Sequence, residues 1–497
     1  MKHPHNLKIL LTLALFIEVC YLGIAVIDEL QLHVIRFLLL YGVVGGLYWM
    51  ASRRFFGLRG STRRTPAGAN HFVVWVRQFM SGADENRWKL STASVLLIGM
   101  IFGVFFRVTL INTSPSLSED IYRYVWDGKV AANGINPFGH PPESEVLSSI
   151  RDDVIYPQIN HKGISTVYPP VLQQIFLNIY KIKPELWAFK AAFVFFDLLT
   201  ACIIIAILAH YNLPREQVLL YFWNPLLVVE IAGSGHAEPV GIFFLMLALL
   251  LAIKRKTLWG NVALVLSFLT KFLAILFLPA LALRKKENKY GLVVAFIVLA
   301  CVCYLPYSGA GSNLFSGLMT YGSKWEFNGS IFWAIKAFFQ EFTPDRIVAS
   351  TVIYPFGMSP DPETLMTRRV DFALYVTKLI VSLTFLRLLV VRLRRNQKEY
   401  ESGGVQIFRD GLTIIGIFIL LNPTIHPWYI CWILPFLAIV PALSWTLLSI
   451  TIMLSYWILT GYAQTGIWEE SNVVRILEYA PFYLLLIFER IRFDVKA

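Results

Sequence analysis

The constraining feature of this chain is a series of uninterrupted apolar runs, each close to the length that crosses a bilayer. A transmembrane helix needs about 20 such residues. The first run extends from Ile9 to Ile27, too long and without the small-residue cleavage site of a secretory signal, so it reads as a first span. About 14 crossings can be drawn along the 497 residues, some of them short. Composition agrees: 56% of residues are hydrophobic and only 15% charged, against about 25% charged in soluble domains. The expected fold is an all-α polytopic membrane protein with about 12–14 transmembrane helices and with amphipathic helices and loops on the extracytoplasmic face.

The formal net charge of +12 would suggest nucleic acid in a soluble chain. Here the basic residues sit in short loops between apolar runs, where the positive-inside rule accounts for them, so no nucleic-acid partner is expected. Arg53, Arg54, Arg59, Arg63, Arg64, Arg77, Arg87 and Lys89 mark one cytoplasmic loop. Further clusters are Lys254 to Lys256, Arg284 to Lys289, and Arg392 to Lys398. The stretch 258–283 has basic clusters at both ends and is too short for two full spans. It is expected to form a hairpin of two short arms, with Thr270 and Lys271 near its outer tip. With that hairpin, both termini are cytoplasmic. The outer segments become 112–185, 233–237, 307–369, 422–427 and 463–474. The chain divides into an N-terminal two-helix segment with a basic loop (1–91), a membrane core (92–442) with outer loops 112–185 and 307–369, and C-terminal helices (443–497). The five cysteines show no metal-ligand spacing and read as small buried hydrophobes.

Nearly all the unusual polar motifs fall on the outer segments. Ser116 and Glu119 fit a capping box that starts a helix ending near Asn133, with Gly134 as its stop. Asp120, Arg123, Tyr124 and Asp127 share one face of that helix, while Ile121, Val125 and Ala132 lie on another, suited to resting on the membrane surface. With Glu119 occupied at the helix start, Asp120 is left to face a pocket, ionised beside Arg123, where it can take a proton from a hydroxyl. A solvated amphipathic helix with an internal ion pair fits the same spacing. Pro137 and Tyr168-Pro169-Pro170 read as scaffold turns, with Tyr168 a candidate substrate contact. The turn Gly233 to Pro239 carries His236 and Glu238 at a membrane boundary, where ionisable groups are costly, and Glu230 lies just before it inside an apolar helix. Lys271, between apolar arms, needs an anion, for which a lipid phosphate is a natural partner, or snorkels to the interface. His426-Pro427-Trp428-Tyr429 offers an imidazole and aromatic faces. Tyr321 to Asn328 forms another polar–aromatic cluster. No nucleotide-binding or zinc-protease motif stands in its required context, so nucleotide-driven chemistry is not indicated.

Taken in order, Asp120 to Gly128, Gly134-Ile135-Asn136-Pro137-Phe138, Tyr168-Pro169-Pro170, Asn224-Pro225, Gly235-His236-Ala237-Glu238, Thr270-Lys271-Phe272 and His426-Pro427-Trp428-Tyr429 resemble the motifs of GT-C integral-membrane glycosyltransferases. The resemblance is nearest to bacterial polyprenol-phosphate-mannose-dependent mannosyltransferases and covers residues 92–440. It implies a lipid-phosphate sugar donor, an extracytoplasmic site in the cell membrane, a glycan or lipid-linked acceptor, and an acidic residue in the first large outer loop, matched by Asp120. The second acidic position of the related GPI-type D-x-D is Tyr122 here, so a divalent metal, though possible in the family, is not indicated and no cofactor is expected. On this reading Asp120 is the general base and Arg123, Lys271 and His426 bind the donor phosphate. Asp127, Tyr168, His236, Glu238, Trp428 and Tyr429 contact substrate. A transporter or flippase of a lipid-linked sugar or small solute is the alternative class.

Overall fold

The computed structural model describes residues 3–58, 91–283, 289–345, 347, 362–395 and 405–494. Most of the basic loop at 59–90, Arg284 to Lys286 and Lys398 lie outside these residues. The protein is an all-α membrane protein. Among the described residues, seven helical stretches are long and apolar enough to cross a bilayer: Asn6–Ala25, Val34–Arg54, Thr92–Ile111, Leu186–His210, Tyr290–Lys324, Met366–Arg394 and Leu443–Thr465. Shorter apolar helices cover Glu238–Ile253, Thr257–Phe268, Phe272–Ala282 and Pro427–Ile439.

The spans start and stop where local chemistry directs. Ser91 caps Thr92–Ile111 by accepting the Ser94 N–H at 3.1 Å. The spans pack closely because Gly103 leaves room for the Phe222 ring; a Cβ there would stand 2.4 Å from it. Arg107 lies in the same helix, fully buried. Its guanidinium bonds Asp197 at 2.5 Å and the carbonyls of Gly103 and Phe222 at 2.7 and 2.9 Å, while Tyr221 donates to Asp197 at 2.6 Å. A charge in an apolar interior persists when it is paired in this way.

The apolar run at 217–232 is not one helix. Asn224 and Pro225 break it into short turns, with Asn224 capping the segment after the break. Val228–Gly233 then forms a widened turn in which the Ser234 N–H reaches the Val229 carbonyl. Such bulges recur at functional sites. The stretch 257–283 breaks at Leu269 to Lys271, leaving Lys271 extended between Thr257–Phe268 and Phe272–Phe277.

The first outer loop has its own scaffold. Its helix, Asp120–Ala132, stops at Gly134, which has a φ of 74°. It differs from expectation in two respects. The capping box does not form: the Glu119 side chain makes no cap bond, and the Ser116 hydroxyl instead accepts the Leu30 N–H at 2.8 Å. The Ile121 and Val125 face does not rest on a membrane surface. Both residues are buried in the main core, and Trp126 and Val130 pack on Leu147 and Ile159 in a smaller one. Burial on nearly all sides outweighs the amphipathic pattern, because the loop folds back over the helix. A second helix, Pro170–Ile182, lies against it.

Candidate active site

Gly235 brings the two halves of the site together. Its φ of 78° suits glycine, and a Cβ would stand 2.5 Å from Ile121 Cδ1. The turn that carries His236 therefore presses directly on the helix that begins with Asp120. The His236 N–H donates to the Glu230 carbonyl at 3.0 Å, closing the widened turn. Its side chain is fully buried between two carboxylates: Nδ1 lies 3.8 Å from Asp120 Oδ2 and Nε2 3.2 Å from Glu230 Oε2. The Tyr456 hydroxyl donates to the far side of Glu230 at 2.9 Å.

Asp120 is a quarter exposed, and no hydrogen bond from a described residue reaches its carboxylate. At 3.8 Å the His236 contact is too long for one. Burial pushes the Asp120 carboxyl up to about 6; Lys271 opposes this rise, while Glu238 and Glu119 add to it. Burial also holds His236 well below its ordinary value, and the Lys271 charge acts in the same direction. The imidazole is therefore neutral.

Lys271 pairs with Glu238 at 2.7 Å. Its ammonium lies 5.9 Å from the Tyr168 ring centre and 5.6 Å from that of Tyr429, a cage suited to a cation. The Tyr429 and Tyr321 hydroxyls are hydrogen-bonded to each other. The break at Leu269 puts Lys271 there. The Leu269 carbonyl accepts the Val171 N–H at 3.1 Å, and so ties the break to the helix that Pro169 and Pro170 begin. Glu238 heads Glu238–Ile253, where a helix N-terminus favours negative charge.

A column of rings forms another wall. His236 stacks on Trp428 with ring centres 3.8 Å apart, Trp428 stacks on His426 at 4.3 Å, and His426 stacks on Phe327 at 4.8 Å. Burial lowers His426 to about 3, with Lys271 adding to the effect, so it too is neutral.

Thus Asp120, His236, Glu238, Lys271, Tyr168, His426, Trp428 and Tyr429 form one connected cluster. Arg123 and Asp127 sit behind it. Arg123 donates Nε to Asp127 at 2.8 Å and Nη1 to the Ile164 carbonyl at 3.0 Å. Asp127 also accepts from Thr166 at 2.6 Å and Gln173 at 2.9 Å, which leaves it engaged on every side. Glu230, Tyr321, Phe327 and Tyr456 belong to the cluster and were not among the expected site residues. Glu230 carried a signal as an acid inside an apolar run, and Tyr321 and Phe327 as part of a polar–aromatic cluster. Tyr456, a tyrosine in an apolar helix, carried none. No group of three or more His, Cys, Asp or Glu among the described residues is gathered as a metal-binding set.

Residues 69–285 match the family described as alpha-(1->6)-mannopyranosyltransferase, N-terminal domain. The chain resembles bacterial mannosyltransferases. Two relatives come from Corynebacterium glutamicum. Alpha-(1->6)-mannopyranosyltransferase A is 21% identical over 231 residues, 43% of this chain and 46% of that protein. Alpha-(1->6)-mannopyranosyltransferase B is 21% identical over 392 residues, 72% of this chain and 60% of that protein. The chain thus spans roughly half the length of the curated mannosyltransferases it matches. No solved structure matches it. The matched family region holds Asp120, His236, Glu238 and Lys271, whereas the ring column beyond His236 lies outside it.

Proposed function

We propose that this protein is a glycosyltransferase that moves a hexose, mannose by the resemblance, from a polyprenyl-phosphate donor to a hydroxyl of a lipid-linked or cell-envelope glycan. Its site faces the extracytoplasmic side of the cell membrane, with both termini cytoplasmic. The observation that carries this reading is the convergence of Asp120, His236, Lys271 and His426, from four separate segments, around an uncommitted carboxylate.

Asp120 accepts the proton of the acceptor hydroxyl as that oxygen attacks the anomeric carbon. The bond from that carbon to the phosphate oxygen breaks, the electron pair leaves with polyprenyl phosphate, and the configuration inverts. Lys271 meets the developing phosphate charge with the N–H groups not directed at Glu238. Arg123 has Nη2 left to offer; Asp127 serves to hold Arg123. His426, being neutral, donates a hydrogen bond rather than a charge. Trp428, Tyr429 and Tyr168 supply faces for a sugar ring. His236, backed by Glu230, orients toward Asp120, and Glu238 fixes Lys271.

The test is incubation of the purified protein with a panel of polyprenyl-phosphate sugars while release of the lipid phosphate is followed. Release from the mannose-bearing donor, absent in Asp120→Asn, supports the proposal. No release from any member, or Asp120→Asn at wild-type rate, overturns it. Cysteine labelling of 112–185 from the cytosolic side would overturn the assigned sidedness.

A further inference from the structure

Asn328 is a residue that transfer chemistry does not require, yet it is held in a rarely adopted backbone conformation by three separate groups. Its φ is 52°, a left-handed value that asparagine tolerates better than most residues. Its N–H donates to Glu470 Oε2 at 2.8 Å, its side-chain amide donates to Glu478 Oε1 at 2.6 Å, and its carbonyl accepts the Tyr479 hydroxyl at 3.0 Å. Glu478 and Tyr479 lie on the C-terminal helix Asn472–Asp494, and Glu470 stands two residues before its start. Both the Glu478 and Tyr479 side chains are buried.

The adjacent residue is Phe327, the outermost ring of the column. The Phe327 N–H donates to the Pro423 carbonyl at 3.1 Å, and its carbonyl accepts the Ile425 N–H at 2.7 Å. Thr424 Oγ1 reaches the Trp325 carbonyl at 2.9 Å. The segments 325–328 and 423–425 are therefore locked together. His426 follows directly, stacked between Phe327 and Trp428. A path of direct contacts runs from the C-terminal helix through Asn328 and Phe327 to His426, Trp428 and His236.

We infer that Glu478, Tyr479 and Glu470 are positioning residues: they clamp Asn328, and through it set the place of the His426–Trp428 stack against His236. The kinetic side of this inference rests on the transferase reading; the spectroscopic side does not. A displacement of about 1 Å at a reacting site can cost roughly a hundredfold in rate. Leaving a buried group without its partner is costly, which favours rearrangement around it.

The experiment uses the full chain in lipid nanodiscs with isotope-labelled histidine. The sequence has nine histidines, and His426→Gln assigns the relevant signal. Glu478→Leu removes the acceptor for Asn328, whereas Glu478→Gln keeps an amide oxygen in its place. The clamp predicts that Glu478→Leu moves the His426 ring signals and lowers kcat/KM for the donor by about tenfold or more. Glu478→Gln should restore the wild-type spectrum and most of the rate. Tyr479→Phe, which deletes one hydroxyl, should move the same signals less, and it serves as the test should Glu478→Leu fail to fold. His426 signals unchanged in Glu478→Leu, or in Tyr479→Phe where that variant replaces it, would overturn the clamp. Shifted signals in a protein that transfers no sugar would leave the clamp standing and remove the transferase reading instead.

Discussion

Asp120 and Asp127 lie two turns apart on one helix, and the structure treats them in opposite ways. Asp127 is buried and accepts from Arg123, Thr166 and Gln173. Asp120 is a quarter exposed and accepts no hydrogen bond from a described residue. Arg107 and Asp197, deep among the spans, repeat the Asp127 pattern: Tyr221 and the Arg107 Nε hold the acid, and two backbone carbonyls take Nη1. A buried acid that accepts from several donors at once helps to rigidify a fold. A carboxylate left partly desolvated and unpartnered holds no neighbour in place, and such groups gather at functional sites. The helix uses one acid to stay in place and the other to face the site.

The sharpest way to break this comparison is to remove the carboxylate at each position in turn. Asp120→Asn should lower transfer by about 10²–10⁴-fold, the range for loss of a general base, without lowering the melting temperature. Asp127→Ala strands Arg123, Thr166 and Gln173 and should cost about 1–3 kcal/mol of stability, read as a lower melting temperature in detergent. Its rate per folded molecule should fall far less than that of Asp120→Asn. Equal loss of rate at the two positions in folded protein would mean that Asp127 also meets the substrate, and the distinction would fail.

Next in size is the Lys271–Glu238 pair, which shares features of both classes. It is an ion pair with a fully buried acid, like Arg107–Asp197, yet its cation is partly exposed and its charge is felt at Asp120. Lys271→Met leaves Glu238 buried alone and should cost about 3–5 kcal/mol. Adding Glu238→Gln removes the stranded charge, so the double variant should regain most of that stability and remain inactive. Recovery of transfer along with stability would show that Lys271 serves the fold alone.

The sequence made the scaffold legible where chemistry is local. Apolar runs of bilayer length identify the spans, Gly134 marks a helix end, and the basic clusters flanking 258–283 require a break near Lys271. Sequence spacing also put Asp120 and Asp127 on one face, but could not say that Thr166 and Gln173 would fold back to consume Asp127. For the same reason it took Ile121 and Val125 as a membrane-facing surface: the loop that buries them lies tens of residues away. Glu230 stood out as an acid in an apolar run, yet its partners His236 and Tyr456 meet it through a bulge and a distant helix. Contacts set by tertiary return are invisible to periodicity.

The smallest expected effect concerns pH, and it separates the role of Asp120 in reaction from its role in folding. Transfer needs the ionised carboxylate, so the rate should fall tenfold per unit as pH drops below about 6, rather than below the ordinary carboxylate range near 4. Lys271 holds that value down, so in Lys271→Met the Asp120 carboxyl should itself titrate at higher pH, read by infrared spectroscopy of the carboxyl rather than from the rate. Stability should run the other way. The folded Asp120 binds its proton more tightly than the unfolded chain does. Its contribution to stability is therefore fully present below the unfolded value near 4, and is lost as pH rises through about 6. Melting curves of wild type and Asp120→Asn should diverge across that interval, with the wild type losing ground as pH rises. If the two curves instead ran parallel while the rate still broke near pH 6, the titrating base would be another group, and Glu230 behind His236 would be the first to test.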